Sequence, residues 1–445
     1  MQIRRRFRLL ICAGLFTTAA LSGCGSSSTT ETVPTTVSIY NSHSVIFRNN
    51  STMTMGYNEF GQLGDGTLDN RAAATMVPGL GHMTKGAVGA AHTLVFSNHT
   101  SVVMAWGYNG YGQLGDPSIS TTAGLAYSST PKTVPLGGLV SDVAAGGFHS
   151  LAVAGGAVHG WGYNGNGQVG DGTFTNQTAP VKLTQDISGA ALPATAVQVA
   201  GGGLHSLALF DEGATASVYA WGNNSHGQIG FSPYSSPVNY SRPKKVRLTE
   251  VTGKVEQIAA GGKFSLALEV VRDGLGNITG QTLWGWGFGG AGQLAVDPED
   301  LNMLVTGNSA TAFSHSPRIL YTVSGAGPGT TVIKKFVAGL DHVLLLLGAR
   351  DGVSSWTVQA LGYNFFGQLG NNTNTTSFAL VNTLNADASA PLTGVTDIAA
   401  FGNHSLALAN GVWFGWGNNN MGQLGSPAPV SSAGNPKLPV RVEGF

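Results

Sequence analysis

Trp106-Gly-Tyr-Asn-Gly-Tyr-Gly-Gln-Leu-Gly115 is one of seven copies of a glycine-rich ten-residue phrase in this chain. The first copy is Met55-Gly-Tyr-Asn-Glu-Phe-Gly-Gln-Leu-Gly64, and others begin at Trp161, Trp221, Trp286, Leu361 and Trp416. The copies lie roughly 50 to 75 residues apart, the period of a blade-sized repeat. One such unit cannot bury its apolar faces alone, so it must stack on its neighbours. Seven units over nearly the whole chain suggest a closed ring.

A second phrase precedes the first in each unit. Val143-Ala-Ala-Gly-Gly-Phe-His149-Ser-Leu-Ala-Val153 corresponds to Val199-Ala-Gly-Gly-Gly-Leu-His205-Ser-Leu-Ala-Leu209 and to Ile398-Ala-Ala-Phe-Gly-Asn-His404-Ser-Leu-Ala-Leu408. His149, Leu151 and Val153 alternate with Ser150 and Ala152, the period of a strand. Small residues on the second face let a neighbouring sheet come close. Gly155-Gly156 then turns the chain into the strand that ends at Trp161-Gly162, completing a hairpin. After the glycine loop comes a strand carrying Pro131, Pro180, Pro243, Pro317 or Pro436. Proline cannot donate to a ladder, so this strand belongs at a sheet edge. Four strands per unit and seven units predict an all-β, seven-bladed β-propeller of four-stranded blades.

These paired phrases resemble those of the regulator of chromosome condensation repeat family, from about Val37 to Val442. Departures are Met55 and Leu361 for Trp, Phe264 for His, and Ala295 for the last Gly. In the family founder, protruding loops help engage a small GTPase. Secreted bacterial relatives of similar fold include a β-lactamase-inhibiting propeller that binds through aromatic-rich loops. The tryptophan-arginine constellation of the plant UV-B sensing member is not matched: Trp284, Trp356 and Trp413 make no repeated basic motif.

Residues 1–23 read as a lipoprotein signal peptide. Arg4, Arg5, Arg6 and Arg8 precede an apolar run, Leu9 to Leu21, too short to span a bilayer permanently. Leu21-Ser22-Gly23-Cys24 resembles the bacterial lipobox, which implies that Cys24 is acylated, with palmitate among the expected chains. Residues 24–36 are then a Ser/Thr-rich tether and 37–445 the propeller. Gly25 after the lipidated cysteine implies an outer-membrane address in the cell envelope. Cys12 leaves with the leader and Cys24 carries lipid, so no thiol remains for disulfides, metal or nucleophilic chemistry. The formal charge is +0, and without the arginine-rich leader the chain is mildly acidic. That excludes nucleic acid as the expected partner. Lys244-Lys245-Val-Arg247 reads as a solvated strand end.

Histidines 43, 92, 149, 205, 342 and 404 recur once per unit. A metal or acid–base site needs several groups at one point, whereas a ring distributes them; packing plus one hydrogen bond is the expected role. Gln62, Gln113, Gln168, Gln228, Gln293, Gln368 and Gln423 should satisfy backbone groups of the irregular loops. The loops lack the lysine of a phosphate cradle. Asp65-Gly-Thr and Asp171-Gly-Thr read as turns, and Asp351-Gly352 lacks the spacing of a sialidase aspartate box. No catalytic residue, metal site or cofactor is expected.

Function should then lie where the units differ. Tyr57, Tyr108, Tyr163, Phe288 and Tyr363 follow the Trp-Gly position, and Phe60, Tyr111 and Phe365 lie nearby. Equivalent loops emerge on one face, so these rings either form an aromatic rim for a partner or pack on their own loops. The acidic and Ser/Thr-rich insertion 296–326 is a second candidate, and a smaller one holds Tyr234 and Tyr240. The expectation is a lipid-anchored, extracytoplasmic, non-catalytic scaffold for an envelope or extracellular protein. A small GTPase is not expected in that compartment. The alternative is a cell-wall or surface glycan hydrolase using the central channel, which requires two placed carboxylates.

Overall fold

Alternating strands without helix propensity build a ring of antiparallel sheets. The computed structural model describes residues 43–444 apart from 49, 123, 125, 234–237, 296–312, 326, 328, 351–355 and 427–434. The described residues contain no helix. Their strands form seven sheets, or blades, covering residues 43–76, 85–133, 140–182, 196–245, 254–324, 331–382 and 395–441. Blades 2 to 7 have four strands in simple sequential order, and blade 1 has three among the described residues. The fold is the seven-bladed propeller that the repeats predict.

Blade 3 shows the unit. Val140–Ala145 lies innermost, followed by His149–Ala154, Ala157–Gly162 and the outer strand Gln177–Lys182, all antiparallel. The glycine-rich loops join third to outer strands, so they share a face with the turns that precede each His. The second-to-third hairpins and the blade connectors emerge on the other face.

The strand alternation is used as its residue sizes require. Leu151 and Val153 pack with Val199, Ala208, Phe210 and Trp221 of blade 4. Ala152 and Ala154, on the opposite face, receive Leu94, Phe96 and Val103 of blade 2. The seam between blades 2 and 3 therefore fits large side chains of one blade against small ones of the next.

The outer strand arches away from the third strand. Val181 pairs with Gly160 but Gln177 pairs with Gly162, a bulge that spans Pro180 and leaves its missing N–H harmless. Against such an arch packs the loop of the preceding blade. Gly112 has φ +82, and a Cβ there would stand 2.6 Å from Cα of Thr178. The equivalent approach joins blade 7 back to blade 1, where a Cβ on Gly422 would lie 2.5 Å from Cα of Ala72.

Ring closure uses the hydroxyl and apolar contacts found at other seams, with Met55 at the tryptophan position. Ile46, Met55 and Ala74 of blade 1 share an apolar cluster with Leu406, Trp413 and Val442 of the last. Ala74 N–H donates to Glu443 O at 3.0 Å, and Ser44 Oγ donates to Gln423 O at 2.8 Å.

The expected insertion 296–326 is corrected at its C-terminal part. Phe313–Ser324 is the outer strand of blade 5, paired along Ile278–Phe288, because the long third strand there offers a ladder for the whole segment. Residues 296–312, the expected signal peptide 1–23, Cys24, the expected tether 24–36, Tyr234 and Asp351-Gly352 lie outside the described residues. Asp65 and Asp171 make the expected turns, each accepting the N–H and hydroxyl of Thr67 or Thr173. The basic cluster is indeed the end of an outer strand, with Lys244 Nζ 3.8 Å from the Phe231 ring centroid.

Two glycines of equal φ separate backbone strain from seam contact. Gly66 has φ +85 with nothing within 4 Å of its missing Cβ. Gly66→Ala should cost about 1 kcal/mol, the left-handed conformation alone. Gly112→Ala should cost about 3 kcal/mol or more, because the blade 3 arch must also shift. Urea unfolding of the two variants measures both; equal losses would show that the loop does not hold the seam.

Candidate functional site

The recurring histidine, hydroxyl and indole groups bond between blades. Ser150 Oγ donates to Gln113 O at 2.8 Å, and the Trp161 indole N–H donates to the same carbonyl at 2.9 Å. Since the hydroxyl proton is committed there, His92 Nε2 carries the proton that reaches Ser150 Oγ, at 3.0 Å. The same link joins His43 to Thr93, His149 to Ser206, His205 to Ser265, His342 to Ser405 and His404 to Ser44. Each histidine is one protonated nitrogen in a seam, as expected of a structural residue.

Loop shape is set by two amides. Gln113 Oε1 accepts the N–H of Tyr111, and Asn109 Oδ1 accepts that of Leu114. The glutamine bond recurs in all seven loops. The asparagine bond recurs in six, and Gly289 stands at its place in blade 5. Held this way, the loops project their variable residues on one face.

On that face an aromatic array runs across blades 1 to 3. Phe60 meets Tyr108 at 5.1 Å, Tyr108 meets Tyr111 at 6.1 Å, and Tyr111 meets Tyr163 at 4.9 Å between ring centroids. Phe148 joins Tyr108 and Tyr111. Sequence reasoning missed Phe148, although its signal was present as the variable residue before a recurring His. The array is largely self-satisfied: Tyr57, Tyr108 and Tyr111 are only 2%, 7% and 6% exposed. Tyr108 and Tyr111 pack on one another and on Phe60, Phe148 and Tyr163 of the adjacent blades, which leaves them little surface to offer a partner. Phe60, Tyr163, Phe288 and Tyr363 are partly exposed.

A second aromatic group lies on blade 6. Tyr363 and Phe365 stack at 6.3 Å, Phe366 meets Phe365 edge-on at 5.3 Å, and Phe365 is 63% exposed. Between the groups, His226 touches Phe288 at 5.5 Å and Lys263 Nζ lies 5.9 Å from that ring. Burial, with Lys263 beside it, lowers His226 to about 4. Asp341, before His342, lies 3.4 Å from Gln293 Nε2, and burial raises its carboxyl to about 6 against the pull of Lys263. Lys263 and Asp341 occupy the same repeat position as Phe148.

A glycan hydrolase would need a second carboxylate near Asp341. The equivalent described positions are Ala91, Phe148, Leu204, Lys263 and Asn403, none of them acidic. Nor do the described residues contain three His, Cys, Asp or Glu grouped to hold a metal.

Three stretches, residues 102–153, 155–209 and 216–268, match the family model described as the regulator of chromosome condensation (RCC1) repeat. This chain carries RCC1 repeats. The Ultraviolet-B receptor UVR8 of Arabidopsis thaliana is 27% identical over 392 residues, covering 86% of this chain and 77% of that protein. The human RCC1-like G exchanging factor-like protein is 30% identical over 210 residues, which is 47% of this chain and 41% of the relative. Among solved structures, Prp20p of Saccharomyces cerevisiae, described with its binding to Gsp1p and histones, superposes with TM-score 0.64 at 24% identity. That match covers 88% of this chain and 85% of Prp20p. At that identity the likeness speaks for the fold. Five tryptophans of the RCC1 phrases here hold their indole N–H on a neighbouring blade's carbonyl, a structural use.

The histidine links give the ring a pH dependence of known sign. Burial lowers His43, His92, His149, His205, His342 and His404 from 6.5 to about 3. A depressed pKa means that the unfolded chain binds more protons, so their contribution is complete above 6.5 and is lost as pH falls towards 3. Unfolding near pH 5 should therefore take up about six protons from these residues. Urea midpoints should drop steeply between pH 6.5 and 4; a flat profile over that range would refute neutral burial.

Proposed function

We propose that this chain is a lipid-anchored, extracytoplasmic binding protein that presents its glycine-loop face to another envelope or extracellular protein, without catalysing a reaction. The observation that carries the reading is the division of labour among residues. Histidine, hydroxyl and indole groups that would suggest chemistry bond across the seams and glutamine oxygens shape the loops, while variable aromatic residues collect on one face. Exposed, rigid aromatic rings give large contact area at little cost in rotamer entropy. Phe365, with Tyr363 and Phe366, is the strongest such anchor; Phe60, Tyr163 and Phe288 extend the surface. The relatives support a protein partner in kind, since one is named for G exchange and another is described by its binding to Gsp1p and histones. Exchange activity itself is not proposed, because an envelope compartment supplies no small GTPase.

Lipid attachment rests on the lipobox-like Leu21-Ser22-Gly23-Cys24. Metabolic labelling with a palmitate analogue should mark the protein in the envelope fraction, and Cys24→Ser should abolish both the label and membrane retention. An unlabelled wild-type protein would remove the anchor from the proposal.

For the binding face, a photocrosslinking residue at Phe365 should trap a discrete protein adduct in intact cells. The same residue at Leu275, 89% exposed on an opposite-face hairpin, should not. Phe365→Ala should change stability by less than about 0.5 kcal/mol while weakening capture. By contrast Tyr111→Ala should destabilise by about 3 kcal/mol because the ring is core. Adducts at Leu275 and none at Phe365 would assign binding to the other face.

A further inference from the structure

One seam is built differently from the other six. At the junction of blades 5 and 6, Phe264 stands where the others have histidine, and Val343 where they have the receiving hydroxyl. Leu361 replaces the tryptophan whose N–H would reach the Gln293 carbonyl, and Ala295 replaces the glycine that at four other seams clears space for that indole. The Gly64, Gly115, Gly170 and Gly370 positions show the reason: a Cβ there would lie 2.6 to 2.8 Å from the neighbour's tryptophan nitrogen. Four substitutions thus agree with one another across a single interface. Together they convert a hydrogen-bonded link into part of a continuous apolar cluster that includes Phe264, Leu266, Leu294, Val343, Leu345 and Leu361.

We propose that the ring has a single acid-resistant seam, between blades 5 and 6, so that mild acid loosens the other junctions first and leaves these two blades joined. At the six polar seams, protonating a histidine places a charge in a buried site whose Nδ1 has no partner at His43, His92, His149, His205 and His342. The charged groups facing these rings are other histidines: His43 faces His92 and His404, His149 faces His92 and His205, and His404 faces His342. Each added proton therefore opposes the next. Carboxylate ion pairs also cross polar seams: Lys85 with Asp142, Lys254 with Asp211, and Lys335 with Asp397.

The buried carboxyl at the apolar seam responds with the opposite sign. Asp341 of blade 6 lies against Gln293 and faces Lys263, both of blade 5. Its carboxyl is raised from 3.8 to about 6, so the folded state favours the protonated acid. The stability this confers is complete below 3.8 and is lost as pH rises through about 6. Acidification consequently relieves a burial cost at this seam in the interval where the histidine seams fail.

Two matched amides make the idea measurable. Ile258 N–H crosses the blade 4–5 seam to Gln198 Oε1 at 2.8 Å, and Ile333 N–H crosses the blade 5–6 seam to Gln281 Oε1 at 2.7 Å. Both glutamines return a bond to the same isoleucine's carbonyl. Residue-resolved hydrogen exchange on the full-length protein at pH 7 and about pH 4.5, corrected for intrinsic rate, compares them. Protection at Ile258 should fall by about tenfold or more, and at Ile333 by less than about threefold. Equal losses, or earlier loss at Ile333, would overturn the proposal. The combined variant Phe264→His, Ala295→Gly, Val343→Ser, Leu361→Trp should make Ile333 as acid-labile as Ile258. Should that variant fail to fold, the reciprocal pair His205→Phe, Ser265→Val decides: Ile258 should become acid-resistant, and unchanged lability there also overturns the idea.

Discussion

A backbone carbonyl shared between blades holds this ring together. At six seams the glutamine of the glycine loop presents its C=O to the following blade, which returns a hydroxyl and, in five of them, an indole N–H. The loop is irregular and deeply buried, so an unmatched carbonyl there would carry a full desolvation cost. The histidine of the preceding blade completes the chain by donating to the same hydroxyl. Three residue types from two blades must therefore be present together, which is why the two phrases recur as a pair.

Close approach explains the glycines that composition alone leaves as a surplus. The loop must enter the bulge of the neighbouring outer strand, and the space beside the indole admits no Cβ. Sequence, bulge and seam are one steric arrangement repeated around the axis. Where the tryptophan is absent, at Leu361, an alanine is accepted opposite it despite φ +51. The coupling of these positions shows that the glycine serves the neighbour's side chain as much as its own backbone.

Such a scaffold confines freedom to the residues that no seam uses. Among them, burial distinguishes aromatic rings of identical sequence standing. Tyr108 and Tyr111 close over one another and over Phe148, forming a small apolar core on the loop face. Phe365 finds no such cover and remains available to solvent. Lys263 and Asp341 add charge to the same face at the place where blade 5 has lost its loop asparagine to Gly289. Departures from the repeat thus concentrate around blades 5 and 6, in the seam and on the face above it.

The sequence by itself determined the blade count, the strand order, the edge position of the proline strands and the structural use of histidine and glutamine. All of these follow from periodicity and from groups that must be paired wherever they recur. Only the tertiary structure decided which aromatic rings face solvent, because the loop of one blade is covered by side chains of the next, about fifty residues away. It also decided that Phe313–Ser324 is a strand, since its ladder partner is unusually long. The agreement of Phe264, Ala295, Val343 and Leu361 was equally out of reach: they are scattered along the chain, and one interface alone brings them together.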